Sequence, residues 1–208
     1  MRTIVVAATK GGVGKTTLAA ALAVRASSES GLVALIDLDP QKSLARWWEL
    51  RGEPENPRLV TDVGRVDEAS WLLRQAGWEW VVVDTPPVLL TTMEPAIRTA
   101  DLVLIPFRAS ALDVETAAPM VELCRKCDRP FRFVINAAEP DWKLTESAVA
   151  YLMKDGRVMP ELVSYRRAYI AAMTDGKSGA EIDPTCKSEI EALWQAVKRI
   201  TPRKTVER

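Results

Sequence analysis

The sequence predicts an α/β fold, a doubly wound and mostly parallel sheet with helices on both faces. Several strand-like segments are continuous apolar runs, which is typical of strands buried on both faces of a sheet. Helical segments separate these runs along the chain, as in a sheet built from β–α–β units. A length of 208 residues suits one sizeable core, so we expect a single domain over residues 1–208.

The predicted elements alternate from the start of the chain. In the first half, we predict strands over 3–8, 32–36, 58–63 and 80–83, and helices over 16–28, 42–50 and 67–75. In the second half, we predict strands over 102–106, 131–136 and around 158, helices over 114–127, 145–153 and 187–200, and a basic tail over 201–208. Residues 54–57 and 138–143 are predicted surface loops, and Gly31 is a predicted helix stop.

The composition excludes several classes of chemistry. The chain has no histidine, which excludes Ser/His triads and zinc hydrolases that depend on that residue. Three cysteines argue against a disulfide framework. The formal net charge is zero, which argues against a protein that binds polyanions over its whole surface. No run of 18 or more apolar residues occurs, so we expect a cytoplasmic protein.

A glycine-rich segment between the first strand and the first helix has the spacing of a phosphate-binding loop. It consists of Lys10, Gly11, Gly12, Val13, Gly14, Lys15, Thr16 and Thr17. Glycines let the backbone approach phosphate oxygens closely, while successive N–H groups and the helix N-terminus supply partial positive charge. We expect Lys15 to contact the β- and γ-phosphates of ATP and the Thr16 hydroxyl to bind Mg²⁺.

Acidic residues follow two of the predicted strands. Asp37 and Asp39 follow the strand over 32–36, and Asp84 follows the strand over 80–83. Carboxyl ends of parallel strands meet at one edge of a doubly wound sheet, so these side chains are expected to converge on the loop. We predict Mg²⁺ contacts from Asp37, Asp84 and Thr16. The alternative for a strand-end aspartate is a helix cap or a turn.

These motifs resemble the deviant Walker-A ATPases of the ParA/MinD superfamily. Thr9 replaces the first glycine of the strict loop pattern, and Lys10 adds a second lysine. The resemblance implies that Lys10 crosses a dimer interface to the partner's nucleotide. The sequence Asp-Leu-Asp-Pro-Gln over 37–41 is similar to the family's switch I, which implies that Asp39 positions the attacking water, and 85–87 is similar to switch II.

Later segments extend the resemblance along most of the chain. Residues 106–113 are similar to the family's P-x-x-x-S-x-L-D segment, and 166–169 with Gly176 to its late R-x-A-Y segment. Asn136 falls where the family places an adenine contact, with a turn former as the alternative. The chain is most similar to short ParA-type ATPases without an N-terminal helix-turn-helix domain. The resemblance implies a weak, Mg²⁺-dependent ATPase that dimerises with ATP, binds non-specific DNA, is stimulated by a ParB-like adaptor, and segregates plasmids, chromosomes or other cargo.

Two alternative functions and a candidate DNA-binding surface each depend on a small set of residues. Cys124 and Cys127 have CxxC spacing, as in iron–sulfur carrier relatives, although buried structural cysteines explain them as well. The helix over 187–200 is amphipathic, which allows a MinD-like membrane helix or, preferably, a helix packed on the core. We therefore expect no stable membrane association. The candidate DNA-binding surface comprises Arg166, Arg167, Lys198, Arg199, Arg203 and Lys204.

Overall fold

A computed structural model describes residues 1–29, 31–61, 63–87, 90–108, 117–138, 149–150, 152 and 158–202. Within these residues, seven strands form one sheet: β1 (Arg2–Val6), β2 (Val33–Asp37), β3 (Arg58–Leu59), β4 (Trp80–Asp84), β5 (Leu102–Phe107), β6 (Phe131–Ala138) and β7 (Val163–Ser164). Their order is β3-β2-β4-β1-β5-β6-β7, and every pairing is parallel. The predicted fold class is confirmed.

Helices cover both faces of the sheet. The described helices are α1 (Lys15–Glu29), α2 (Ser43–Leu50), α3 (Val66–Gln75), α4 (Leu90–Thr99), α5 (Ala118–Lys126), α6 (Arg167–Thr174), α7 (Gly179–Ile182) and α8 (Pro184–Ile200). One core lies between the sheet and α1, α2 and α8, and the other between the sheet and α3, α4 and α5. The central strands are therefore buried on both sides, which explains their continuous apolar sequences.

The last helix packs its apolar face into the first core. Ile190, Leu193, Trp194 and Val197 of α8 are almost fully buried, and the Trp194 ring lies 4.5 Å from that of Trp80. Asp183 caps the helix by accepting from two backbone N–H groups. The structure therefore shows the core-packing alternative for this segment. In the part of the chain described, no helix is long and apolar enough to cross a membrane.

Several elements differ from the sequence predictions. The strand predicted over 58–63 contains only Arg58–Leu59, and that around Val158 is a single bridge to Phe133. The sequence patterns did not predict β7, α4, α6 or α7. Helix α4 contains Pro95, and proline disfavours a helix interior. The helix forms nevertheless, because Met93 and Ile97 are fully buried on the face that packs against the core. The predictions for 109–113, 114–116, 139–148 and 203–208, and most of the helix over 145–153, fall outside the described residues.

Candidate functional site

The glycine-rich loop connects the carboxyl end of β1 to the first turn of α1. Gly12 and Gly14 have φ values of +72° and +89°, a region of backbone conformation that favours glycine. Lys15 is the first residue of α1, so the N–H groups of this helix begin at the loop. The strand–loop–helix context predicted for a phosphate-binding loop is therefore present.

Side chains from β6 and from the residue after β5 donate to two carbonyls of this loop. Asn136 of β6 donates from Nδ2 to the Val13 carbonyl at 2.7 Å, and Arg108 after β5 donates from Nη2 to the Gly12 carbonyl at 2.5 Å. A Cβ atom at Gly14 would lie 2.0 Å from Asn136 Nδ2. Arg108 is not among the predicted site residues, although it lies in the family-like segment over 106–113; its contact with Gly12 spans 96 positions and forms only in the folded sheet.

Lys15 lies at the start of α1 with only 7% of its surface exposed. Its Nζ donates to the Lys10 carbonyl at 3.2 Å, so the ammonium group curls back over the loop. Burial lowers the pKa of Lys15, and the Asp84 and Asp39 carboxylates oppose that shift. These two acids therefore lie close enough to Lys15 to interact with its charge.

Asp84 ends β4 in a fully buried position. Its Oδ2 accepts from the Thr16 hydroxyl at 2.6 Å, and its Oδ1 has no hydrogen-bond partner among the described residues. Burial raises the pKa of Asp84 to about 7, opposed by the Thr16 hydrogen bond, and the nearby Asp37 carboxylate raises it further. An unpartnered carboxylate oxygen beside a hydroxyl fits Mg²⁺, which takes hard oxygen ligands.

Asp37 has a different set of contacts from Asp84. Its Oδ1 accepts from the Asp39 N–H and its Oδ2 from the Ala45 N–H in α2, each at 2.9 Å. Both carboxylate oxygens are thus engaged with the backbone. This geometry fits the cap and turn alternative for a strand-end aspartate better than direct metal contact.

Asp39 lies between Asp37 and the start of α2 and is only 8% exposed. Its Oδ1 accepts from the Gln41 N–H at 2.9 Å, and its carbonyl accepts from the Lys42 N–H. The Lys42 Nζ donates to the Asp37 carbonyl at 2.9 Å. Backbone hydrogen bonds therefore fix the path of the chain on both sides of the Asp39 carboxylate.

A cleft of about 160 Å³ opens beside the glycine-rich loop. Its lining includes Gly12, Gly14, Thr17, Arg108, Asn136, Tyr165, Arg166 and Tyr169. A larger cavity of about 690 Å³ is lined by residues of α1, by Arg51 after α2 and by the α7–α8 segment, and its lining includes none of the predicted site residues. Its Arg25 and Arg51 are already paired with Glu191 and Glu181, so we place the candidate site at the glycine-rich loop, beside Lys15, Thr16 and Asp84. The smaller cleft borders that loop where Arg108 and Asn136 contact it.

The paired cysteines lie inside the second core. Cys124, in α5, is fully buried, and Cys127, which ends that helix, is 6% exposed. Burial raises the pKa of the Cys124 thiol to about 12, and the neighbouring Cys127 adds to the shift. Thiolate is the form that binds iron or another metal, so this environment favours the structural alternative.

Acidic partners offset the charge of the candidate DNA-binding surface. Lys198 pairs with Glu29, and Arg166 and Arg199 pair with Glu189 and Glu161, each at 3.3 Å. Arg167 is exposed, and Arg203 and Lys204 lie outside the described residues. Among the described residues, three of the basic side chains of this surface are therefore paired with carboxylates, so its net positive charge is smaller than the number of lysines and arginines indicates.

Comparisons with known proteins show that most of the chain, including the glycine-rich loop, is similar to one family of nucleotide-binding domains. The model of the CobQ/CobB/MinD/ParA nucleotide binding domain matches residues 4–178. The maintenance of carboxysome distribution protein A of Halothiobacillus neapolitanus is 30% identical over 212 aligned positions, covering 96% of each chain. Protein ParA of Rhizobium radiobacter is 35% identical over 124 positions, which cover 59% of this chain and 56% of that protein.

Solved structures share the fold. A Cyanothece McdA variant in complex with ATP superposes with a TM-score of 0.74 at 22% identity, covering 100% of this chain and 99% of that one. At this level of identity, the similarity supports the architecture.

Proposed function

The chain belongs to the CobQ/CobB/MinD/ParA family of nucleotide-binding domains, and from this membership we propose that it is a weak, Mg²⁺-dependent switch ATPase that dimerises with ATP. The observation that carries the proposal is the convergence of Lys15, Thr16 and Asp84 beside the glycine-rich loop. A buried cation, a hydroxyl and an unpartnered carboxylate oxygen match what a Mg²⁺–triphosphate requires.

Binding and hydrolysis use different groups of this site. Backbone N–H groups of the loop and the Lys15 ammonium would bind the phosphates, while Thr16 and Asp84 would hold the metal. When bound, Mg²⁺ would neutralise part of the negative charge on the phosphate oxygens. Asp39 would orient the attacking water, since it is buried near Lys15 and fixed by backbone hydrogen bonds on either side.

Lys10 is the group that would link nucleotide binding to dimerisation. It is exposed, and its carbonyl accepts a hydrogen bond from the Lys15 Nζ. Two lysines within one phosphate-binding loop repel each other unless enough phosphate charge is present. In a two-fold dimer, each Lys10 would reach the partner's nucleotide, which makes ATP binding and association linked equilibria.

We further propose that the ATP dimer positions a cargo at the nucleoid. Support comes from the relatives, whose names concern ParA proteins and the distribution of carboxysomes. Non-specific DNA would be bound through phosphate contacts of a dimer that doubles a modest cationic surface, with exposed Arg167 as one contributor. An adaptor protein of the ParB kind would stimulate hydrolysis and specify the cargo.

Sedimentation with a slowly hydrolysed ATP analogue tests the proposal. Wild-type protein should bind the analogue and dimerise, and the dimer should bind DNA more weakly as salt increases. Lys15→Ala should lose nucleotide binding, whereas Lys10→Ala should bind nucleotide as a monomer and lose DNA retention. A Lys10→Ala protein that dimerises and binds DNA as the wild type does would refute the dimer mechanism. Unchanged nucleotide affinity in Lys15→Ala would refute the site itself.

A further inference from the structure

The Arg108 and Asn136 contacts to the glycine-rich loop involve two consecutive peptide groups. The Gly12 carbonyl shares a peptide plane with the Val13 N–H, and the Val13 carbonyl shares one with the Gly14 N–H. Arg108 donates to the first carbonyl and Asn136 to the second. In a trans peptide the C=O and N–H point in opposite directions. A donor that holds each carbonyl towards β5 and β6 therefore holds the corresponding N–H in the opposite direction.

We propose that Asn136, assisted by Arg108, is a positioning residue for the phosphate-binding loop, and that Asn136 acts on the phosphate-binding N–H groups rather than only on the base. This inference rests on the proposed nucleotide site. Loop N–H groups bind phosphate only when they point into the site together, so fixing two of them in advance lowers the cost of ordering on binding.

The backbone of β6 is shaped around this contact. The pairing of β6 with β7 shifts register between Asn136 and Ala138, and Ala137 between them has a φ of +54°. A bulge re-aims side chains at the end of a strand, and a left-handed alanine is retained only where its surroundings enforce it. Here the bulge accompanies an Asn136 amide that lies against the loop.

Gly14 allows the Asn136 side chain to approach the loop closely. A Cβ at this position would lie 2.0 Å from Asn136 Nδ2 and 3.3 Å from its Cγ, so only glycine permits this close approach. Gly14 also has a φ of +89°. The requirement for glycine here thus comes from the Asn136 contact as well as from backbone conformation.

Comparing a ligand that has a base with one that has none separates this role from an adenine contact. We would measure the affinities of ATP, GTP and inorganic tripolyphosphate, each with Mg²⁺, for wild type and Asn136→Ala. Asn136 is neutral, so its removal changes no charge at the site. Loss of one positioning hydrogen bond should weaken tripolyphosphate and both nucleotides by about threefold to tenfold. Asn56→Ala is the matched control, because Asn56 also donates from Nδ2 to a backbone carbonyl, that of Gly31, but does so near the amino end of β2 and not at the glycine-rich loop.

The outcomes distinguish the inference from the proposed function. Tripolyphosphate bound by Asn136→Ala as tightly as by wild type would overturn the positioning role, even if ATP affinity fell. A wild-type protein that bound none of the three ligands would overturn the proposed function and this inference with it. The thermal unfolding midpoint of Asn136→Ala should stay close to that of wild type, since the side chain is half-buried at the site. A fall in tripolyphosphate affinity only in proportion to lost folded protein would also overturn the inference.

Discussion

Asp84→Asn should stabilise the protein at neutral and alkaline pH while it removes a ligand of the proposed metal. The Asp84 carboxyl is fully buried, and one of its oxygens lacks a partner among the described residues. Burial makes ionising it in that position unfavourable, and the charge of the nearby Lys15 offsets only part of that cost. Asparagine keeps an oxygen that accepts from the Thr16 hydroxyl, and it carries no charge at any pH.

The magnitude follows from the pKa of this one group. Raising a carboxyl pKa from 3.8 to about 7 corresponds to about 4 kcal/mol of differential stability. Folded Asp84 holds its proton more tightly than unfolded Asp84, so its contribution is complete below pH 3.8 and is lost as the pH rises towards 7. The unpartnered asparagine N–H₂ group costs about 1–3 kcal/mol at every pH. The net gain at pH 8 should therefore be about 1–3 kcal/mol.

Urea unfolding without nucleotide or divalent cations measures this effect. The free energy of unfolding of Asp84→Asn minus that of wild type should rise by up to about 4 kcal/mol between pH 4 and pH 8, and then level off. The comparison between two proteins cancels titrations that both share. A difference that does not change with pH would refute the conclusion that Asp84 is buried and hard to ionise.

Three further substitutions or treatments test other parts of the molecule. Gly176→Ala should lower the free energy of unfolding by about 2 kcal/mol or more, because its φ is +64° and a Cβ would lie 2.3 Å from the Arg51 backbone nitrogen; urea unfolding measures it. Native Cys124, whose thiol pKa burial raises to about 12, should resist a thiol-reactive disulfide reagent that labels it in urea. Asp39→Ala should bind ATP with unchanged affinity but hydrolyse it about 100-fold more slowly in a phosphate-release assay.

Local patterns predicted the centre of the fold, and long-range contacts decided the rest. The strand before the glycine-rich loop and those ending at Asp37 and Asp84 were predictable because burial on both faces leaves a continuous apolar sequence. Strand β7 has only two residues and forms through pairing with β6, so no local sequence pattern predicts it. The Asn136 contact joins residues 123 positions apart, which only the folded sheet brings together.

Strand order explains why the site can be held from both sides. Strand β1 lies between β4 and β5, with β6 beyond β5, so the loop that follows β1 is flanked by the carboxyl ends of its neighbours. Asp84 aligns with Val6 of β1 and also with Asp37 of β2, which places the two acids side by side. On the β4 side, Asp84 accepts from Thr16; on the β5–β6 side, Arg108 and Asn136 donate to loop carbonyls. The proposed metal ligands and the residues proposed to orient the loop therefore lie on opposite flanks, so substitutions on the two flanks should affect metal dependence and metal-free phosphate affinity separately.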